Sequence, residues 1–325
     1  MVLIRIPPAW EISEHQITPE AAFINRRRFV KSLIGAGVAA TILPLSACSQ
    51  QGNAKSGTEG LKTFPNLSTN PNFKDVERPI TKADFATHYN NFYEFGGSKS
   101  IWEAAQALPT ETWKLEVTGL VKNPMTYDLD DLTNKFPIEE RIYRFRCVEA
   151  WAMVVPWVGF PMRKIIEAVE PNSKAKYVQF TSFYDPKITK GPGFWALNYP
   201  WPYKEGLRIE EMANDLAFFA VGMYGKTLPK QNGAPIRAVL PWKYGFKGAK
   251  SIVKIEFLEE RPATYWNTLA PEEYGFIANV NPKKPHPRWS QATEKVVSNS
   301  PNFSWERKPT LLYNGYEEYV GSLYS

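Results

Sequence analysis

A chain of 325 residues with 43% hydrophobic and 22% charged residues is globular rather than disordered, with material for one large domain or two small ones. Of its net charge of +6, residues 1–48 carry five Lys/Arg against three Asp/Glu, leaving +4 for the rest. No Lys/Arg stripe or nucleic-acid-binding motif accompanies that charge, which argues against a nucleic-acid partner. Two cysteines in segments of unlike character form no disulfide framework if the first segment is processed. Three histidines, one of them at position 15, are too few for an ordinary zinc site, so any metal here needs ligands from a cofactor.

Taken in chain order, Asn25, Arg26, Arg27, Arg28, Phe29, Val30 and Lys31 precede an uncharged run over 32–47 that is rich in Gly, Ala, Leu and Ile and short for a bilayer span. This is the form of a twin-arginine signal peptide over 1–48. It predicts passage of the folded chain through the Tat translocase to the periplasm, with any cofactor inserted beforehand. Leu45, Ser46, Ala47 and Cys48 also have the form of a lipobox, so Cys48 is either lipidated as an anchor or removed. Residues 49–60 are polar and rich in Gly, Ser and Gln, a flexible linker. The body then runs over 61–325 as a single domain without a repeat. Its 27 prolines and many aromatic residues predict turns and strands rather than a helical bundle, an α+β, strand-rich class.

Within the body, 113–117 and 141–147 alternate as half-buried strands do, placing Tyr143, Phe145 and Cys147 on one face with Cys147 at the strand's end. Pro161 followed by Met162, Ile165, Ile166 and Val169 predicts a helix with one apolar face. Residues 177–183, 216–221, 236–240 and 252–257 are further strands.

Cys147 has Arg144, Arg146 and Glu149 as sequence neighbours, and the arginines predict a thiol shifted towards the thiolate that a nucleophile or a metal ligand needs. An isolated cysteine is by default a small buried hydrophobe. Downstream, Gln231, Asn232, Gly233 and Arg237 lead into a loop, 241–251, in which Gly245, Gly248, Lys243, Lys247 and Lys250 cluster. Backbone N–H groups and cations so combined suit a phosphate cradle, or else a solvated basic turn. Neither GxxxxGK[ST] nor GxGxxG is present.

Four stretches, 89–95, 140–151, 232–250 and 286–294, together resemble the sulfite-oxidase-like molybdopterin enzymes, and among them the catalytic subunits of periplasmic protein-methionine-sulfoxide reductases. The resemblance covers nearly the whole chain. It implies a sulfite oxidase-type molybdopterin-binding fold and one molybdenum-molybdopterin per chain, with Cys147 as the protein's thiolate ligand to molybdenum. It also implies that Asn90, Tyr93, Glu94, Asn232 and Arg237 hold the pterin, that Gly248, Ala249 and Lys250 meet its phosphate, and that Ser182 stands where threonine is frequent. Taken singly, Tyr93, Asn90 and Glu94 suit a core ring, a turn and an ion pair equally well.

The implied reaction is reduction of methionine sulfoxide in exported proteins by oxygen-atom transfer, a repair of oxidative damage. No CxxCH and no dinucleotide fingerprint occurs, so electrons come from a partner, by the resemblance a membrane-embedded haem b protein drawing on the quinone pool. Other readings compete. A sulfite oxidase or dehydrogenase usually carries an added dimerisation domain and needs cations converging on its dianion, for which Arg144, Arg146 and Arg288 are the candidates. A reductase of small S- and N-oxides shares the same chemistry. A cofactor-free exported binding protein would use the aromatic residues as a pocket, and a cysteine hydrolase would pair Cys147 with His88 or His286.

Overall fold

Two sheets organise the computed structural model, which describes residues 58–325 apart from 194, 195, 197, 198, 299 and 301. The stretch 1–48 expected to be a signal peptide, Cys48 included, and residues 49–57 of the expected linker lie outside the described residues. The strands in chain order are β1 (Leu115–Gly119), β2 (Met125–Tyr127), β3 (Glu139–Arg146), β4 (Trp151–Pro161), β5 (Tyr177–Ser182) and β6 (Lys204–Arg208). They continue with β7 (Phe218–Met223), β8 (Lys226–Thr227), β9 (Arg237–Val239), β10 (Ile252–Leu258), β11 (Thr293–Val296) and β12 (Arg307–Pro309). One sheet runs β2-β1-β10-β5-β6, with β1 parallel to β10. The other runs β12-β11-β4-β7-β8, with β3 paired to β4 and β9 to β7. Helices are short, among them α1 (Ala83–His88), α2 (Trp102–Ala105), α3 (Leu129–Asn134), α4 (Arg163–Val169) and α5 (Ile209–Ala213). The class is therefore the α+β, strand-rich one expected.

The second sheet is built around β4. All eleven of its residues are buried, so it reads as a continuous apolar run instead of an alternation. Along one edge it pairs antiparallel with β3, in a register that sets Arg146 against Ala152; it also pairs with β7, and with β11 in parallel. Between β3 and β4 the chain turns over only 147–150, closed by Ala150 N–H donating to the Cys147 carbonyl (3.0 Å) and Cys147 N–H donating to the Trp151 carbonyl (2.9 Å). Ala150 adopts φ +67°, the left-handed conformation that a turn this tight demands. Cys147 thus stands just past its strand, at the mouth of a stiff hairpin.

Expected and observed elements differ in instructive ways. The first strand starts at Leu115, because Trp113 leaves the ladder to bury its ring and donate its indole N–H to the Ile252 carbonyl (2.8 Å). Strand β3 does not alternate cleanly: Arg144 and Arg146 are as buried as Tyr143. Helix α4 begins after Pro161 as expected. Among the described residues no helix is long and apolar enough to cross a membrane.

Candidate active site

Separated stretches of the chain converge on one cleft, whose walls enclose about 930 Å³ of empty space including its open mouth. The chain leaving α1 supplies Tyr89, Asn90, Asn91, Tyr93 and Glu94. The hairpin supplies Phe145, Cys147, Val148, Glu149 and Trp151. The segment before β9 brings Asn232 and the start of β9 brings Arg237, the loop after β9 brings Gly245, Phe246 and Lys250, and a later segment brings Trp266 and Tyr274. Two glycines permit this closeness. At Gly233, φ +98°, a Cβ would press on the Lys250 side chain, and at Gly245 a Cβ would strike the Phe145 ring.

Seven of the ten residues singled out in the sequence line the cleft: Asn90, Tyr93, Glu94, Cys147, Asn232, Arg237 and Lys250. Ser182, Gly248 and Ala249 stand behind its wall. Gly248 packs on the Arg237 guanidinium and donates its N–H to the Gly245 carbonyl (3.1 Å), while Ala249 N–H donates to the Lys247 carbonyl (3.2 Å).

At one end of the cleft the amides of Asn90 and Asn232 both donate to the Ala86 carbonyl at 2.9 Å, which fixes their orientation. Their Oδ1 atoms are buried and have no protein partner. Nearby, Arg237 is buried and Lys250 half-buried, and neither enters an ion pair among the described residues, although Glu94 acts on Lys250 electrostatically. Burial pulls the guanidinium of Arg237 down to about 10, and burial together with Arg237 lowers Lys250. Burial also raises the carboxyl of Glu94, with Lys250 opposing. Buried acceptors without donors and a buried cation without an anion are costly unless a ligand completes them. A pterin with N–H edges and a phosphate fits both.

Cys147 lies at the other side of the cleft. Its Sγ receives the Asn91 amide and the Glu149 backbone N–H, each at 3.5 Å, and also lies 3.5 Å from Glu149 Oε2. The Glu149 carboxylate is held by Lys99 Nζ (2.8 Å), Asn91 Nδ2 (2.8 Å) and Trp151 Nε1 (3.0 Å). Burial tends to raise the Glu149 carboxyl, but Lys99, Asn91 and Trp151 bring it below its ordinary value.

The expected lowering of the thiol is not found. Burial, then Glu149, push Cys147 up to about 12. The reason is that Arg146 turns away, to Glu294 Oε2 (3.1 Å) and Gln291 Oε1 (2.7 Å), while Arg144 bonds the Val76 carbonyl (2.7 Å). Ionisation of this sulfur therefore calls for a positive charge brought with the ligand, as a metal ion does. Among the described residues no group of three His, Cys, Asp or Glu could hold a metal without added ligands.

Of the three arginines that a dianionic substrate would need, none lines the cleft; Arg288 is exposed and paired with Glu273 (2.7 Å). Neither His88 nor His286 lines it either. His88 Nδ1 lies 2.8 Å from the Asp84 carbonyl, and His286 stacks on Trp289. The base that a cysteine hydrolase requires is absent from the cleft among the described residues.

Sequence reasoning missed Trp266 and Tyr274, which pack 4.8 Å apart in the cleft wall, since isolated aromatic residues carry no local signal. It also passed over Asn91 and Lys99, although Asn91 adjoins Asn90.

Compared with known proteins, residues 103–266 match the model of the oxidoreductase molybdopterin binding domain. Among solved structures, the sulfane dehydrogenase SoxCD from Paracoccus pantotrophus aligns over 83% of this chain and 69% of its own, with a TM-score of 0.49 and 16% identity.

Proposed function

Since the chain belongs to the oxidoreductase molybdopterin-binding domain family, with molybdenum-molybdopterin as its cofactor, we propose that it reduces methionine sulfoxide in exported proteins to methionine. The observation that carries this reading is the surroundings of Cys147. The polar groups there are an amide, Asn91, and a carboxylate neutralised by Lys99, and the remaining wall is aromatic, with Phe145, Trp151, Trp266 and Tyr274. Such a wall takes a neutral, polar sulfoxide on an apolar stem, while the cations of the cleft are taken up elsewhere, Lys99 by Glu149 and Arg237 and Lys250 by the cofactor's phosphate, so that a sulfite dianion is not favoured. Reduction consumes two electrons and two protons, breaks the S–O bond, and releases the thioether and water.

When bound, the cofactor supplies two-electron oxygen-atom transfer. The chain's part is to hold it. Cys147 would give the thiolate to molybdenum, the Oδ1 atoms of Asn90 and Asn232 would accept pterin N–H groups, and Arg237 and Lys250 would face the phosphate. Tyr93 and Glu94 complete the pterin wall. Electrons would come from a membrane-embedded haem b protein, after export of the folded chain to the periplasm by the Tat translocase. Oxidised periplasmic proteins are the substrates.

The test is metal analysis of the exported protein together with turnover. About one molybdenum per chain, lost in Cys147→Ser, with reduced viologen oxidised by methionine sulfoxide, is the expected result. Sulfite oxidation without sulfoxide reduction would overturn the substrate while keeping the cofactor, and protein competently expressed without molybdenum would overturn the enzyme.

A further inference from the structure

The stretch 286–294 reaches the Cys147 hairpin without lining the cleft. Trp289 Nε1 donates to the Val148 carbonyl at 2.8 Å, and Gln291 Nε2 donates to the same oxygen at 2.7 Å, so both acceptor directions of that carbonyl are taken from one segment. Gln291 in turn accepts from Arg146 Nη2 at 2.7 Å, and Arg146 Nη1 donates to the Cys147 carbonyl. Gln291, Arg146 and Glu294 are all buried, and Glu294 accepts from Arg146 and Arg78 together. The segment is anchored where β11 pairs with the start of β4, and Lys295 N–H donates to the Ala150 carbonyl at 2.8 Å. On its other side the Trp289 ring stacks on His286 (3.8 Å, 8°), and His286 meets Tyr274, a cleft wall, edge-on at 5.6 Å.

A core that needed only to be filled would not aim two side-chain donors at one carbonyl. That carbonyl belongs to the residue after Cys147, in a turn whose other bonds already fix the backbone. It is one end of the 148–149 peptide, whose other end, the Glu149 N–H, donates to Cys147 Sγ at 3.5 Å, so the tilt of that peptide sets where this N–H holds the sulfur. We propose that Trp289 and Gln291 are positioning residues that fix the direction of the Cys147 thiol by clamping the Val148 carbonyl. The proposal rests on Cys147 being the protein's ligand to molybdenum. Residues one shell out from a metal ligand typically matter by 10–100-fold.

The experiment compares cofactor-loaded wild-type protein with Trp289→Phe, Gln291→Ala and Gln291→Glu. It follows molybdenum content, the electron paramagnetic resonance spectrum of the metal, kcat and KM for methionine sulfoxide, and melting temperature. Trp289→Phe removes the N–H while keeping a ring against His286, so it retains the packing if Gln291→Ala does not fold. The expected result is an altered molybdenum spectrum with kcat down about tenfold and KM within about twofold. Gln291→Glu should be as impaired as Gln291→Ala, because it keeps a partner for Arg146 but has no donor for Val148. An unchanged spectrum and kcat with only a lowered melting temperature would overturn the clamp, as would full rescue by Gln291→Glu. Cys147→Ser retaining its molybdenum would overturn the ligand assignment itself, a different failure from an intact ligand with indifferent Trp289 and Gln291.

Discussion

Beside Cys147 one carboxylate, that of Glu149, sets the local charge. Glu149 bonds Lys99, Asn91 and Trp151 at 2.8–3.0 Å, so the cluster is neutral as a whole. Replacing it with glutamine leaves Lys99 uncompensated. An anion about 5 Å from a unit charge gains ~1–3 kcal/mol at effective dielectric constants between water and protein surface. Glu149→Gln should therefore tighten inhibition by sulfite or sulfate roughly tenfold, with a smaller change in KM for methionine sulfoxide, checked by inhibition constants at fixed ionic strength. Equal inhibition in both proteins would mean that Glu149 does not govern charge selection. At this scale the sequence was legible where residue types cluster: Asn90 and Glu94 lie near Cys147 in space because one short segment follows α1. What it could not disclose was direction. Arg146 is adjacent to Cys147 in sequence, yet the pleat of β3 sends it to Glu294, and the predicted electropositive thiol became a buried one.

Elements were legible where an alternation or a short apolar run marked them, and the wholly buried β7 and β9 were found by such runs. Strands with one solvated face, such as β1 and β10, alternate and were found, whereas β4 is covered on both faces and interrupted by Pro156, leaving no period to read. The centre of β4 is also where the fold is least forgiving. A Cβ on Gly159 would collide with the Phe219 carbonyl across the bulge in the β4–β7 ladder, so Gly159→Ala should destabilise by about 1–3 kcal/mol or more, read from chemical denaturation. Helix α5 supplies a second test. Its Glu211 accepts from Lys243 Nζ at 2.7 Å, both side chains being buried. Burial tends to raise the Glu211 carboxyl, but Lys243 and the Tyr324 hydroxyl bring it below the usual range. Because the folded value is the lower one, this contribution is present above the ordinary carboxylate pKa and is lost as pH falls through the lowered value. Burial pulls Lys243 down to about 7 even with Glu211 beside it, so Glu211→Gln, which leaves this amine to give up its proton or stay uncompensated, should cost about 3 kcal/mol at neutral pH. Its melting temperature should then fall less than the wild type's on acidification below about pH 5. Parallel acid profiles would show that the pair contributes nothing.

For the whole molecule, the cleft is assembled from distant parts of the chain, and its cations, Arg237 buried and Lys250 half-buried, suit an anion that the chain does not supply as an ion pair. Arg237 and Lys250 have no ion-pair partner among the described residues, and the two asparagine oxygens have no donor. Protein made without cofactor should then melt lower than loaded protein by ~5 °C or more, since a ligand at 100 times its Kd contributes about 2.7 kcal/mol and each kcal/mol is worth 2–4 °C at this size. The sharper test is one of sign. Lys250→Met removes a half-buried charge whose acidic neighbour, Glu94, is itself buried, and fills the same volume. Glu94, its carboxyl already raised by burial, can take up a proton when that neighbour is lost. The substitution should raise the melting temperature of cofactor-free protein, by the logic that a well-packed apolar side chain outperforms a poorly compensated half-buried ion. In loaded protein the same change removes a partner of the phosphate and should lower it. Melting both forms of both proteins reads the inversion directly, and a shift of the same sign in each would mean that Lys250 serves the fold and not the ligand.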